Sequence, residues 1–136
     1  AFVGGGYLHL IADYATNAFI GGGEQNRIEA YAHHAAIVGG AFNTNCGTYS
    51  TISGGSGNAI GSDSSFSTIA GGEANFIGGD ALNATIGGGK VNGIGRLAVY
   101  ATVAGGYSNL SSNQFDTVGG GALNTSSGQY STVAGG

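Results

Sequence analysis

A β-branched apolar residue returns along this chain at near-fixed intervals: Val3, Ile20, Ile37, Ile52, Ile69, Ile86, Val103, Val118 and Val133. Its neighbours are of another kind. Before it stand Phe2, Phe19 and Ala36, then Thr51, Thr68, Thr85, Thr102, Thr117 and Thr132. After it come only Gly, Val, Ser or Ala. An apolar position flanked on both sides in this way predicts a short strand with one buried face. Taking the preceding residue as the anchor, successive repeats are 17, 17, 15, 17, 17, 17, 15 and 15 residues long. The two lengths differ by two residues, which preserves the in–out alternation of a strand; a difference of one would reverse it.

Other columns keep the same phase. Three after each anchor is a glycine: Gly5, Gly22, Gly39, Gly54, Gly71, Gly88, Gly105, Gly120 and Gly135, each followed by a second glycine. Seven after the anchor is Asn26, Asn43, Asn58, Asn75, Asn92, Asn109 or Asn124, with His9 in the first repeat. Nine after it is Ile11, Ile28, Ile60, Ile77 or Ile94, replaced by Asn45, Ser111 and Ser126 in the other three repeats. Two before the anchor are Tyr49, Phe66, Tyr100, Phe115 and Tyr130.

A unit this short cannot be a helical hairpin repeat, which needs some 33 residues or more. Glycine pairs disfavour helix and β-branched residues favour strand. The pattern therefore predicts an all-β fold: a parallel β-solenoid of 15- and 17-residue coils, about eight of them, filling residues 1–136 as a single repeat domain. The Val/Ile column is the expected core, and the glycines turn the corners, where φ > 0 and close backbone approach are needed. The asparagines are expected to form a ladder of amides along the axis, tying down the turns. Eight coils at ~4.8 Å each give a rod roughly 40 Å long. One or two buried branched residues per coil is little to offset the ordering of some sixteen, at ~1–2 kcal/mol of backbone entropy each. Threonine and aromatic columns on the outside are then the expected seam of a homotrimer: Thr51, Thr68, Thr85, Thr102, Thr117 and Thr132 with Tyr49, Phe66, Tyr100, Phe115 and Tyr130. The threonines are also expected to form hydroxyl ladders.

Composition narrows the function. Of 136 residues 30 are glycine and none is proline, so collagen's Gly-X-Y pattern is excluded. Only 3 residues are basic against 7 acidic, a net charge of −4, which argues against a nucleic-acid partner. No apolar run approaches the ~18–20 residues of a membrane-spanning helix, so this segment is expected to make no membrane contact. The chain opens without methionine and stops within a repeat, and is read as a fragment of a longer fibre.

The phrase S-T-V/I-A-G-G-x-x-N, as in Ser67 to Asn75 and the truncated Ser131 to Gly136, resembles the head repeats of YadA-type trimeric autotransporter adhesins. Similar Gly-Gly-x-x-Asn repeats occur in bacteriophage tail fibres. The resemblance covers nearly the whole chain and is best from Tyr49 onward. It implies a left-handed, trimeric parallel β-roll that projects from a cell or virion surface and attaches to a host-surface protein or glycan. The sequence departs from the adhesin pattern in several ways. A second glycine replaces an inward isoleucine, asparagine replaces a small residue, the coils are longer, and the first three repeats lack the anchor threonine.

Candidate chemistry is sparse, and no enzyme activity, cofactor or metal site is expected. His33 and His34 are adjacent, so in a strand they point to opposite faces. Three copies of one histidine can meet an ion on a trimer axis, but His34 occupies the column of Tyr49 and Phe66 and reads as variation within it. Asp63 and Asp80 share a column, one per coil, and read as solvated charges rather than an ion site. GGGK at 87–90 lacks the ending and the helix of a phosphate loop. Acidic residues fall in different columns, unlike the cleft of a β-helix polysaccharide-degrading enzyme. Sequons occur at Asn83, Asn109 and Asn124, the last two within the ladder. Cys46 stands where other coils place Gly61, Gly78, Gly95 and Ser112, and reads as a small corner residue. The threonine rank raises one rival function, ice binding by a regular hydroxyl array.

Overall fold

The computed structural model describes residues 1–136 as a parallel β-solenoid of about eight coils with no helix. Seventeen two-residue strands make two sheets. Nine of them, from Phe2–Val3 to Thr132–Val133, stack in coil order; eight, from Leu10–Ile11 to Thr125–Ser126, form the second sheet. A third line of contact is one residue wide, through Tyr7, Glu24, Ala41, Ser56, Glu73, Lys90, Tyr107 and Ala122. The register sets each column against itself: Phe2 beside Phe19, Thr51 beside Thr68, Thr68 beside Thr85.

The strands are short because the chain reverses its amide direction at every corner. Strand amides bond to the following coil, as Thr51 N–H does to the Ser67 carbonyl at 3.0 Å. Corner residues at φ near +60° donate to the preceding coil instead: Gln25 to the Tyr7 carbonyl at 2.8 Å, Phe66 to that of Thr48 at 3.0 Å. Tyr49, Phe66, Tyr100, Phe115 and Tyr130 all sit at such corners. This left-handed backbone costs a non-glycine residue ~1–2 kcal/mol. Each corner recovers part of that through a backbone hydrogen bond along the axis and contact with the same column above and below.

Nineteen apolar residues form one continuous core. Ile20, Ile37, Ile52, Ile69, Ile86, Val103 and Val118 are fully buried within it. Val3 departs from the expected column, being 44% exposed, and Val133 is only partly buried. Both lie in end coils with a stacking neighbour on one side only. The interior is also fuller than two branched residues per coil. The 17-residue repeats bury a pair of small residues three apart: Ala15 and Ala18, Ala32 and Ala35, Ser64 and Ser67, Ala81 and Ala84, Ala98 and Ala101.

The 15-residue repeats lack that pair and line the same interior with polar groups. Asn45 donates to the carbonyls of Ala36 (3.2 Å) and Ser50 (3.1 Å) and accepts from Gly47 N–H (3.1 Å) and the Ser50 hydroxyl. Buried Asp116 accepts from the amides of Ser112 (3.3 Å) and Asn113 (2.9 Å) and from the Ser131 hydroxyl (3.0 Å). Ser126 and Ser131 bond to each other. Removing two residues tightens the corner and leaves its amides facing inward. A buried amide needs an acceptor; Asn45 supplies it in one short coil and Asp116 in another, while the Ser111 hydroxyl is buried without a partner.

Candidate functional site

The Asn26–Asn124 column runs through the molecule as a bonded ladder. Each side-chain amide nitrogen donates twice, to a glycine carbonyl of its own coil and to one of the next. Asn75 reaches the carbonyls of Gly71 and Gly89, both at 3.0 Å. Each side-chain oxygen accepts the backbone N–H of the next asparagine, as Asn58 does from Asn75 at 3.0 Å. The same geometry holds at Asn26, Asn43, Asn92 and Asn109, and Asn124 closes onto Gly120 and Gly136. His9 ends the ladder, its Nδ1 accepting from Asn26 N–H at 3.2 Å.

The glycine that this ladder requires is not the one that the repeat phase picks out. A Cβ at Gly39, Gly54, Gly88 or Gly120 would meet nothing within 4 Å, and Gly22, Gly39 and Gly54 do not take positive φ. Gly5, Gly71, Gly88, Gly105, Gly120 and Gly135 do take positive φ, between +135° and +156°, but the close approach to the next coil falls on the second glycine of each pair before the last. Gly55 has φ +84°, and a Cβ there would drive into the Gly72 carbonyl and lie 2.7 Å from Asn58 Nδ2. Gly23, Gly40, Gly72, Gly89, Gly106 and Gly121 repeat this arrangement. Both glycines of a pair recur equally in the sequence, so recurrence alone could not tell them apart.

Outside, the threonine column lies on the nine-stranded sheet in strand register, Thr51 through Thr132. The expected hydroxyl ladder is absent: Thr16 and Thr48 are the only threonines whose hydroxyls find a partner within the chain. Neighbouring strands hold the column hydroxyls too far apart, at ~4.8 Å, to bond one another. Beside them the aromatic column forms two three-ring stacks. His34, Tyr49 and Phe66 stack at 4.5 and 5.1 Å; Tyr100, Phe115 and Tyr130 stack at 5.2 and 4.8 Å. Asn83 occupies the column between them. All five Tyr and Phe rings are more than 40% exposed. A second pair, Tyr14 and Tyr31, stacks at 5.1 Å one corner away.

The remaining candidates are dispersed. His33 Nδ1 bonds the Thr16 hydroxyl at 2.8 Å, while His34 belongs to the aromatic stack. Asp80 pairs with Arg96 at 3.0 Å, whereas Asp63 has no ion partner. Lys90 of the GGGK stretch pairs with Glu73 at 3.0 Å, and Arg27 pairs with Glu29, so all three basic side chains are engaged. No three His, Cys, Asp or Glu side chains come together as a metal site would require. Asn83 is exposed, while Asn109 is buried in the ladder. Burial pushes the Cys46 thiol up from its ordinary pKa, and the carboxylate of Glu29 adds to the effect. No protein-family model matches the chain, and no curated protein matches it.

Proposed function

We propose that this chain is a structural and adhesive segment of a homotrimeric surface fibre, bacterial or viral, which works outside the cell by attachment rather than by catalysis. The observation that carries this reading is the paired column on the nine-stranded sheet. Six threonines with unpartnered hydroxyls run beside two stacks of exposed rings, on a surface almost without charge. An apolar surface of this length usually marks an interface. A left-handed roll of 15- and 17-residue coils that shares the face among three copies would cover it, and three equivalent tips would gain avidity from weak individual contacts. The partners are then the chain itself and a host-surface protein or glycan. Sedimentation is the test: the protein is expected to run as a trimer, and Thr102→Arg or Tyr100→Asp to dissociate it or block assembly. A folded monomer at micromolar concentration, indifferent to both changes, would remove this reading.

The register of the threonines favours a second reading, ice binding. Their hydroxyls are free and repeat at the strand spacing, but they form one rank, with rings on one side and Gly, Ala or Ser on the other. Thermal hysteresis from a monomer would select this reading over the first.

A further inference from the structure

The coil Ala36–Ser50 is short, and the coils before and after it are long. Its missing two residues leave a notch in the corner, a cavity of about 240 Å³ lined by Glu29, Ala30, Tyr31, Cys46, Thr48, Ser62 and Asp63. Tyr31 and Asp63 hold the same column position in the two flanking long coils; the intervening coil has no counterpart of that corner and supplies only Cys46 and Thr48 to the wall, the Thr48 hydroxyl donating to the Tyr31 carbonyl at 3.3 Å. The opening therefore spans two coil rises, about 10 Å, or some 6 Å once the walls' own thickness is removed.

Three things in the notch are unfinished. Tyr31 stacks on Tyr14 with one face only; its other face borders the opening. Where two long coils adjoin, an amide in this column donates to the coil below, as Asp80 does to the Ser62 carbonyl and Leu97 to that of Gly79. Across the notch that bond is broken, so the Asp63 N–H and the Ala30 carbonyl are both without a backbone partner. The Asp63 carboxylate has no cation. The notch thus offers an aromatic face, one free amide donor, and carbonyl, carboxylate and hydroxyl acceptors, separated by the thickness of one saturated ring.

We infer that this notch binds a single neutral hexose unit of a glycan. The C–H face of a pyranose carries partial positive charge and packs against the negative face of an aromatic ring. Its hydroxyls are donors and acceptors together, which suits the Ala30 carbonyl of one wall and the Asp63 carboxylate and amide of the other. Charge selects the sugar class. Both acidic side chains in the notch are carboxylates, and every basic side chain of the molecule is already paired, so sialylated, uronic or sulfated units are repelled. The small volume admits one ring, below the ~300–1,000 Å³ of drug-sized pockets.

This inference deepens the attachment reading by naming its ligand class, and it can fail separately. Cys46 lines the notch and is the only cysteine, so its alkylation reports occupancy. The probes are methyl glycosides of glucose, galactose, mannose and N-acetylglucosamine, with methyl glucuronide as the charged control. At least one neutral glycoside is expected to slow Cys46 alkylation saturably at millimolar concentration and to show saturation-transfer signals from its C–H face. Tyr31→Asn, chosen because Asn17 and Asn83 already occupy left-handed corners here, is expected to weaken that protection about tenfold or more. Three results would overturn the inference: no protection by any neutral glycoside at about 50 mM, on the scale of very weak binding; equal protection in Tyr31→Asn; or equal protection by glucuronide. Protection in a monomer would keep the notch while removing the trimer. A trimer that adheres without protection would do the reverse.

Discussion

Gly54 and Gly55 are neighbours of one residue type, yet alanine at each should have opposite consequences. At Gly55 the backbone sits at φ +84°, which costs an L-residue ~1–2 kcal/mol. The new methyl would collide with the Gly72 carbonyl of the next coil and lie 2.8 Å from its nitrogen, and overpacking of that kind costs ~1–3 kcal/mol. It would also displace Asn58 Nδ2, now 3.0 Å from the Gly72 carbonyl, and a buried donor deprived of its partner costs ~1–3 kcal/mol. These terms overlap in part, giving a net loss of roughly 3–6 kcal/mol against a typical domain stability of ~5–15 kcal/mol. At Gly54 the φ is ordinary and the space is open, so alanine should stabilise by ~0.4–1 kcal/mol through the unfolded chain. Urea denaturation followed by far-UV circular dichroism measures both. Hydrogen exchange should place the Gly55→Ala damage in the adjoining coils, since stability in a solenoid is local. Equal midpoints for the two variants would refute the assignment of the close approach to the second glycine.

Further perturbations test the other columns. Asn75→Leu should cost ~1–3 kcal/mol by calorimetry, because it strands the Asn92 amide and removes two donors to glycine carbonyls. Asn45→Ile, which installs the long-coil residue in a short coil, should destabilise by a similar ~1–3 kcal/mol by leaving the Gly47 amide without its acceptor and the Ala36 and Ser50 carbonyls without the Asn45 donor; a neutral result in urea titration would break the link between coil length and polar lining. Cys46 alkylation in the folded protein should rise at higher pH than in the urea-unfolded chain, because burial disfavours the thiolate; coincident pH profiles would contradict this.

The axial repeat, the buried Val/Ile column and the asparagine column were all legible in the sequence, because each needs one residue type at one phase. Three features were not. Tyr49 and Phe66 gave no sign of a left-handed corner, since aromatic residues are poor formers of that conformation. The columns ending in Ala98 and Ala101 looked like ordinary small residues; their spacing of three was present but carries little apolar signal. The notch was hidden because it arises from what coil Ala36–Ser50 omits, and an omission becomes a cavity only when the flanking coils are placed around it. The sequence also carries the link between coil length and lining, since Asn45, Ser111 and Ser126 replace the inward isoleucine only in the repeats of 15.

The like-against-like register has an evolutionary consequence. The surface that a coil offers to its successor is nearly a copy of the surface its predecessor offers to it, down to the asparagine amide that donates to a glycine carbonyl of the next coil. Duplication of one 17-residue repeat beside another therefore leaves the axial junctions of the same kind as before. Such a solenoid can lengthen or shorten by unequal recombination in quanta of one coil without redesigning its interior. A short coil slipped between two long ones creates a fresh notch wherever it lands. Rearrangement of existing repeats, without a single new point mutation, is enough to move or multiply the notch.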